Sequence, residues 1–329
     1  PALANGGARN VAIAPDGTTP RVDRTVGAGR RGGLAINAVA EFPRGIFSLT
    51  VTSRAAAQSN QSAFIGIVAS LSHYDLRRDG AFGVLGQVGT GSQQGVITNF
   101  AQGPSVTSDI TFFNPGDTTA SVTLTGTYIR ASLPQFNRVF NIAPRSQVSF
   151  AGQALGLSPD QPVGLRYTSN INIAVQASQF QLADAEATTP AVDAAQRWIF
   201  GDAFLDPAFA GTRLYETLYI SNPTNVATTV TISLKFFNGV DENVPVTDPN
   251  YALRNRSFTV TVGARGFAEI KLHERPEIVN DRTGPTWFSV DASSAVPILM
   301  SMTHYDLFQG GGWATNGVPV GLTNPIQSI

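Results

Sequence analysis

Apolar and polar residues alternate with a period of two along much of this chain. Val122-Thr-Leu-Thr-Gly-Thr-Tyr128, Thr229-Val-Thr-Ile-Ser-Leu-Lys-Phe236, Ser257-Phe-Thr-Val-Thr-Val262 and Phe47-Ser-Leu-Thr-Val-Thr52 each put apolar side chains on one face of an extended strand and hydroxyls on the other. Shorter apolar runs, Phe64-Ile-Gly-Ile-Val68, Ile171-Asn-Ile-Ala-Val-Gln176 and Ile298-Leu-Met-Ser-Met302, sit between clusters of Gly, Pro, Asn and Asp and predict further strands. Helical periodicity is scarce. Thr189-Pro190-Ala-Val-Asp-Ala-Ala-Gln196 has a capping residue followed by proline, which suits either one short helix or a loop.

The strand pattern repeats. Ser108-Asp-Ile-Thr-Phe-Phe-Asn114-Pro115 returns as Glu216-Thr-Leu-Tyr-Ile-Ser-Asn222-Pro223, the two Asn-Pro pairs lying 108 residues apart (222 − 114). Each is followed by an alternating Val/Thr run. Ser72-His73-Tyr74-Asp75-Leu76 returns as Thr303-His304-Tyr305-Asp306-Leu307, with Ser178-Gln179-Phe180-Gln181-Leu182 as a degenerate copy between them. Similarity at a fixed period means an array of modules. Strands of this length and number per period fit an Ig-like β-sandwich. The predicted architecture is therefore all-β: three tandem Ig-like β-sandwich modules over 1–105, 106–212 and 213–329, the first lacking its opening strand.

Composition supports this fold and narrows the chemistry. Only 14% of the 329 residues are charged, the net charge is −1, and there are 32 glycines and 20 prolines, a turn-rich composition poor in solvating helix faces. A near-neutral chain is a poor partner for nucleic acid, and the basic cluster of Arg21, Arg24, Arg30 and Arg31 reads as solvated surface. No apolar run reaches the length of a membrane-spanning helix. Cysteine is absent, which removes disulfides and thiolate metal sites. The chain begins at Pro1 without a charged-then-apolar leader, as expected of a mature or excised product.

Candidate chemistry is thin. On a strand His73 and Asp75 share one face and Tyr74 takes the other, and the same holds for His304, Tyr305 and Asp306. The middle copy keeps a ring at Phe180 but has Gln179 and Gln181, so the pattern predicts a buried aromatic flanked by solvated polar residues. A metal or acid/base role for His304 with Asp306 is the alternative. His273 stands near Glu269 and Glu274 without metal-ligand spacing. Asp202 and Asp206 offer oxygen ligands for calcium at an inter-module loop, the one cofactor suggestion in the sequence. Gly310-Gly-Gly-Trp313 reads as a bend with an anchoring aromatic. No His-Glu-x-x-His, Lys-bearing phosphate loop or Gly-x-Ser-x-Gly elbow is present, so no enzyme activity is expected.

The order of strand, Asn-Pro, Val/Thr strand, Val-rich strand, strand pair and Trp-x-Phe-Gly-Asp, carried by Asn114-Pro115, Asn222-Pro223, Tyr74, Phe180, Tyr305 and Trp198-Ile-Phe-Gly-Asp202, resembles uncharacterised Ig-like β-sandwich repeats of secreted and surface-attached bacterial proteins. The resemblance implies a structural or adhesive role outside the cytoplasm, at the cell surface or beyond it, and no catalytic residues.

The termini fall out of phase with the repeat. Pro1 aligns with Pro223, so the first module begins just after its opening strand, and Val320-Gly-Leu-Thr-Asn324-Pro325 matches the opening strand of a module the chain does not contain. A sandwich short of one strand exposes an unpaired edge that takes a strand from elsewhere. The expectation is a head-to-tail homopolymer, a filament, sheath or surface layer, with Val318, Val320, Leu322, Asn324 and Pro325 donating to an acceptor edge around Val11 and Ile13. Folding of this tail onto its own third module is the competing placement. The alternative function is a surface adhesin that stacks glycans on Trp287 and Trp313.

Overall fold

The structure is a computed structural model that describes residues 9–13, 20–24, 33–38, 48–52, 69–75, 80–87, 89–129, 133, 135–181, 184–240, 242–251, 254–280, 284–308 and 311–321. The fold is all-β. The chain divides into two compact units, Pro1–Val68 and Ala69–Ile329. In the first, β1 (Arg9–Ile13) pairs antiparallel with β2 (Pro20–Arg24), Val11 opposite Val22 and Ile13 opposite Pro20. The expected acceptor edge is thus one strand of a hairpin.

The second unit opens with a hairpin of β3 (Ser70–Asp75) and β4 (Gly80–Leu85). One strand arrangement then occurs twice. In the first copy, β5 (Ser92–Phe100), β6 (Val106–Asn114), β7 (Ala120–Tyr128), β8 (Phe136–Ile142) and β9 (Ser146–Ala151) lead to a 19-residue strand, β10 (Val163–Gln181), and then β11 (Asp184–Thr188). In the second, β12 (Ala195–Leu205), β13 (Leu214–Ser221), β14 (Thr228–Phe236), β15 (Arg256–Val262) and β16 (Phe267–Lys271) lead past a one-turn helix, α1 (Pro276–Val279). There follow a 21-residue strand, β17 (Thr286–Asp306), then β18 (Gly311–Asn316) and the short β19 (Val318–Pro319).

Each long strand belongs to two sheets. Residues 163–173 of β10 pair with β7 and β5, and residues 174–181 with β6 and β11. In β17, residues 286–298 pair with β14 and β12, and residues 299–306 with β13 and β18. Pro297 sits at this changeover, where a residue without an N–H donor breaks no ladder. The sheets of each pair close on one core, so each copy is sandwich-like. Ile110, Phe112, Val122, Leu124, Leu165 and Val175 fill the first, and Leu218, Ile220, Ile232, Leu234, Val290 and Met302 the second. Fully burying each such side chain is worth about 1.5–3 kcal/mol.

β5 and β12 lie N-terminal to the expected module boundaries near 105 and 212, yet their hydrogen bonds go to strands beyond those positions. Pairing therefore draws the sandwiches from Ser92 to Thr188 and from Ala195 to Pro319. The 189–196 segment holds no helix: Ala191 exchanges backbone hydrogen bonds with Val96 (2.9 and 3.0 Å), making it an extended connection.

The Asn-Pro signature does more than turn the chain. Asn114 is fully buried, its Nδ2 donating to the carbonyls of Thr118 (2.8 Å), Ile142 (3.1 Å) and Ala143 (3.1 Å), while its Oδ1 accepts from the Gly116 N–H (2.9 Å). Asn222 repeats the network with Val226 (2.7 Å), Val262 (3.4 Å), Gly263 (3.0 Å) and the Thr224 N–H (3.0 Å). One amide thus ties a strand end to the turn of the neighbouring strand pair. At that turn Arg145 (φ 51°) and Arg265 (φ 56°) both take the left-handed conformation, and their N–H groups bond Gly116 (3.0 Å) and Thr224 (2.9 Å).

Candidate functional site

Polar and ionisable groups gather where the two sandwiches meet. The outward face of the β8-β7-β10-β5 sheet lies on β13, β16 and the C-terminal half of β17, so Val96 joins the core of the second sandwich and Ile129 packs against it. The Thr98 and Ser301 hydroxyls hydrogen-bond across the junction. Arg166 donates to the Ser221 hydroxyl (2.9 Å) and the Asn222 carbonyl (3.0 Å) and lies 5.0 Å from the centre of the Phe267 ring. Gly164 makes this approach possible: a Cβ there would stand 2.0 Å from the Phe267 ring.

Three buried carboxyls line the same region. On β11, Glu186 accepts from Gln179 Nε2 (2.7 Å) and Asn99 Nδ2 (3.0 Å). Burial raises its pKa to about 7, partly offset by these amides and by the nearby Tyr305 hydroxyl. Asp184 accepts from the Ala185 N–H (2.8 Å), and burial raises it to about 6 against that bond and the charge of His304. On β13, Glu216 Oε1 accepts from the Phe204 N–H (2.9 Å) and lies 2.8 Å from His304 Nδ1. Burial pushes Glu216 up, and His304 partly opposes the shift. Burial alone would lower His304, but Glu216, Asp306 and Asp202 outweigh it and hold the imidazole above its usual range. Asp184 Oδ2, Glu186 Oε2 and Glu216 Oε2 have no protein hydrogen-bond partner among the described residues. Burial disfavours the charged form of each carboxyl, which is why all three pKa values rise.

The strand motif departs from the expected burial. Tyr74 is 73% exposed, whereas its counterpart Tyr305 is 2% exposed, and His304 is buried with Glu216 and stacks on Trp313 (centroids 5.5 Å apart). The expected buried ring is found at Tyr305, but its neighbour His304 is buried rather than solvated, and in the first copy the ring of Tyr74 is exposed rather than buried. What covers each strand face, the neighbouring sandwich or solvent, decides burial there. In the first copy His73 stacks on Phe82 (4.9 Å), and Phe180 meets His73 edge-on at 6.5 Å. His273 lies with Nδ1 2.9 Å from the Glu216 carbonyl, and burial lowers its pKa.

Val318 and Pro319 pair with Ile199 and Trp198 of their own chain, and the Val320 N–H donates to the Arg197 carbonyl (2.9 Å). Leu322, Asn324 and Pro325 lie outside the described residues, as do Arg30, Arg31 and Gly310. Asp202 is exposed on β12, and Asp206 accepts from the Ala208 N–H (3.0 Å). Among the described residues no group of three His, Asp or Glu side chains is placed to hold a metal ion. Trp313 is half-buried against His304, whereas Trp287 is 55% exposed beside Phe204 (4.9 Å). No helix among the described residues is long and apolar enough to cross a membrane.

The carboxyl cluster was not foreseen. Asp184 and Glu186 carry no motif, and the clue available was an acidic pair inside an Ala-rich apolar stretch, Leu182-Ala-Asp-Ala-Glu-Ala187.

No protein-family model matches the chain, and no curated protein matches it significantly. Among solved structures, protein 1070 of Thermotoga maritima aligns at 18% identity over 39% of this chain and 97% of its own, with a TM-score of 0.29. Broad bean stain virus aligns at 11% identity over 67% and 80%, with a TM-score of 0.19. Cowpea mosaic virus empty particles align at 9% over 64% and 78%, with a TM-score of 0.14. These overlaps are too slight to bear on fold or role.

Proposed function

We propose that this chain is a non-enzymatic structural protein acting outside the cytoplasm, the subunit of a head-to-tail filament, sheath or surface layer. It comprises three tandem Ig-like β-sandwich modules, the first short of its opening strand. The observation that carries the reading is unequal pairing of three equivalent strands. The C-terminal halves of β10 and β17 are paired on both sides, by β6 and β11 and by β13 and β18. β3, which bears the same Ser-x-Ser/Thr-His-Tyr pattern as β17, pairs with β4 and, among the described residues, with no second strand.

The neighbour that β3 lacks among the described residues is of the β6 and β13 type, and 318–325 has that type's sequence. Apolar residues stand four and two positions before the asparagine in each sequence: Ile110 and Phe112, Leu218 and Ile220, Val320 and Leu322. Laid on β3 of a neighbouring copy, this segment completes the sheet by β-augmentation, exchanging its place on β12 for a longer ladder. Its location outside the cytoplasm follows from the resemblance to secreted repeats.

Electron microscopy of the full chain and of a chain ending at Gly317 tests strand donation. Filaments or sheets from the first and weaker assembly from the second are expected; equal assembly by both overturns it. The reading requires no cofactor, so a calcium chelator should leave the melting temperature unchanged, whereas a clear drop would place calcium near Asp202 and Asp206.

Exposure of Trp287 on the Phe204 ring favours a second reading, a glycan-binding adhesin. A glycan array should then give a response that Trp287→Ala abolishes, and silence across the array overturns it.

A further inference from the structure

The junction inside the chain has an unfilled counterpart. In the first sandwich, Val96, Ile129 and Arg166 face out from the β8-β7-β10-β5 sheet and are covered by the second sandwich. Strand register matches these positions to Ile199, Phe237 and Asp291. Arg166 pairs with Val96 as Asp291 pairs with Ile199, and the Ile129 N–H bonds the Pro162 carbonyl (3.2 Å) as the Phe237 N–H bonds that of Trp287 (2.8 Å). On this second face Phe237 is 71% and Trp287 55% exposed. Residues 95–100 of β5 are buried on both sides, whereas on the equivalent β12 exposed residues interrupt the buried ones.

The covering surface in the junction also has an uncovered copy. There the outward stripe of β17 is Ser301, Thr303 and Tyr305, all buried, with Ser301 bonded to Thr98. β3 presents the same stripe as Ser70, Ser72 and Tyr74, all exposed. Among the described residues both halves of a junction are therefore present and open, and they do not close on each other.

We propose that the face formed by Ile199, Phe237, Trp287 and Asp291 docks the Ser70-Ser72-Tyr74 face of a second copy of this chain, reproducing the internal junction between molecules. The inference deepens the subunit reading by naming its contact surface, and it does not depend on strand donation. Such a contact is heterologous and propagates head to tail.

Trp287→Glu and Tyr74→Glu each alter one exposed side chain, so each variant is expected to melt like the wild type. Sedimentation velocity should show concentration-dependent association of the wild type, weakened roughly thirtyfold or more in each variant. Made in chains ending at Gly317, so that no strand can be donated, and mixed in equal amounts, the two variants should form dimers and nothing larger, because each keeps the half the other has lost. A wild type that stays monomeric up to its solubility limit, variants that assemble like the wild type, or a mixture that stays monomeric would each overturn the docking. If the chain ending at Gly317 assembles while the face variants do not, docking stands and strand donation fails; the reverse result removes docking alone.

Discussion

A single buried amide organises each sandwich. Asn222 bonds three carbonyls and one N–H across two turns, and Ala in its place removes all four bonds. Asn222→Ala should lower unfolding free energy by about 2–4 kcal/mol in urea titrations, and Asn114→Ala comparably. The sequence marked both residues as strand ends through the proline that follows. The amide network was hidden because its acceptors lie up to 41 residues away. Glu186 makes a different prediction. Its pKa rises from 4.5 to about 7 on folding, so the folded chain binds an extra proton between those values and stability falls as pH rises through that window. Glu186→Gln should remove part of the loss, on the order of 3 kcal/mol at most, when urea midpoints are compared at pH 5 and pH 8. Asp184 and the Glu216–His304 pair, also raised, keep some of the slope in the variant; lowered His273 works against it, losing stability as pH falls.

Among elements, the two long strands decide how the sandwiches are built. Alternation in Val122–Tyr128 and Thr229–Phe236 was enough to predict β7 and β14, because one face of each meets a core and the other does not. β5 was not legible: Val96 to Phe100 are all buried, so no alternation marks the strand. Nor was it visible that Ile298–Met302 continues a strand begun at Thr286, since changing sheets at Pro297 leaves no signature beyond the proline itself. Gly164 on β10 is the element-scale test. Gly164→Val drives a side chain into the Phe267 ring and should part the sandwiches without unfolding either. Faster limited proteolysis of the 189–194 connection is the expected readout, and unchanged cleavage would mean that the ring shifts freely.

For the whole molecule, the repeat explains why surfaces come in matching sets. A face covered once inside the chain is presented again at its open positions, as Ile129 with Phe237 and Tyr305 with Tyr74 illustrate. Assembly through the Trp287 and Tyr74 faces is the prediction that belongs to this scale, and sedimentation of the paired variants measures it. The all-β class, the strand repeat and the recurrence of the His-Tyr pattern follow from the sequence alone. Period-two alternation and Asn-Pro punctuation are local properties, written in neighbouring residues. Tertiary structure alone decided which copy of each motif is buried, that β5 and β12 belong with the strands after them, and that burial raises the pKa values of Glu186, Asp184 and Glu216. Those outcomes depend on what packs against a residue from another part of the chain, and identical local sequences meet different neighbours at each position of an array.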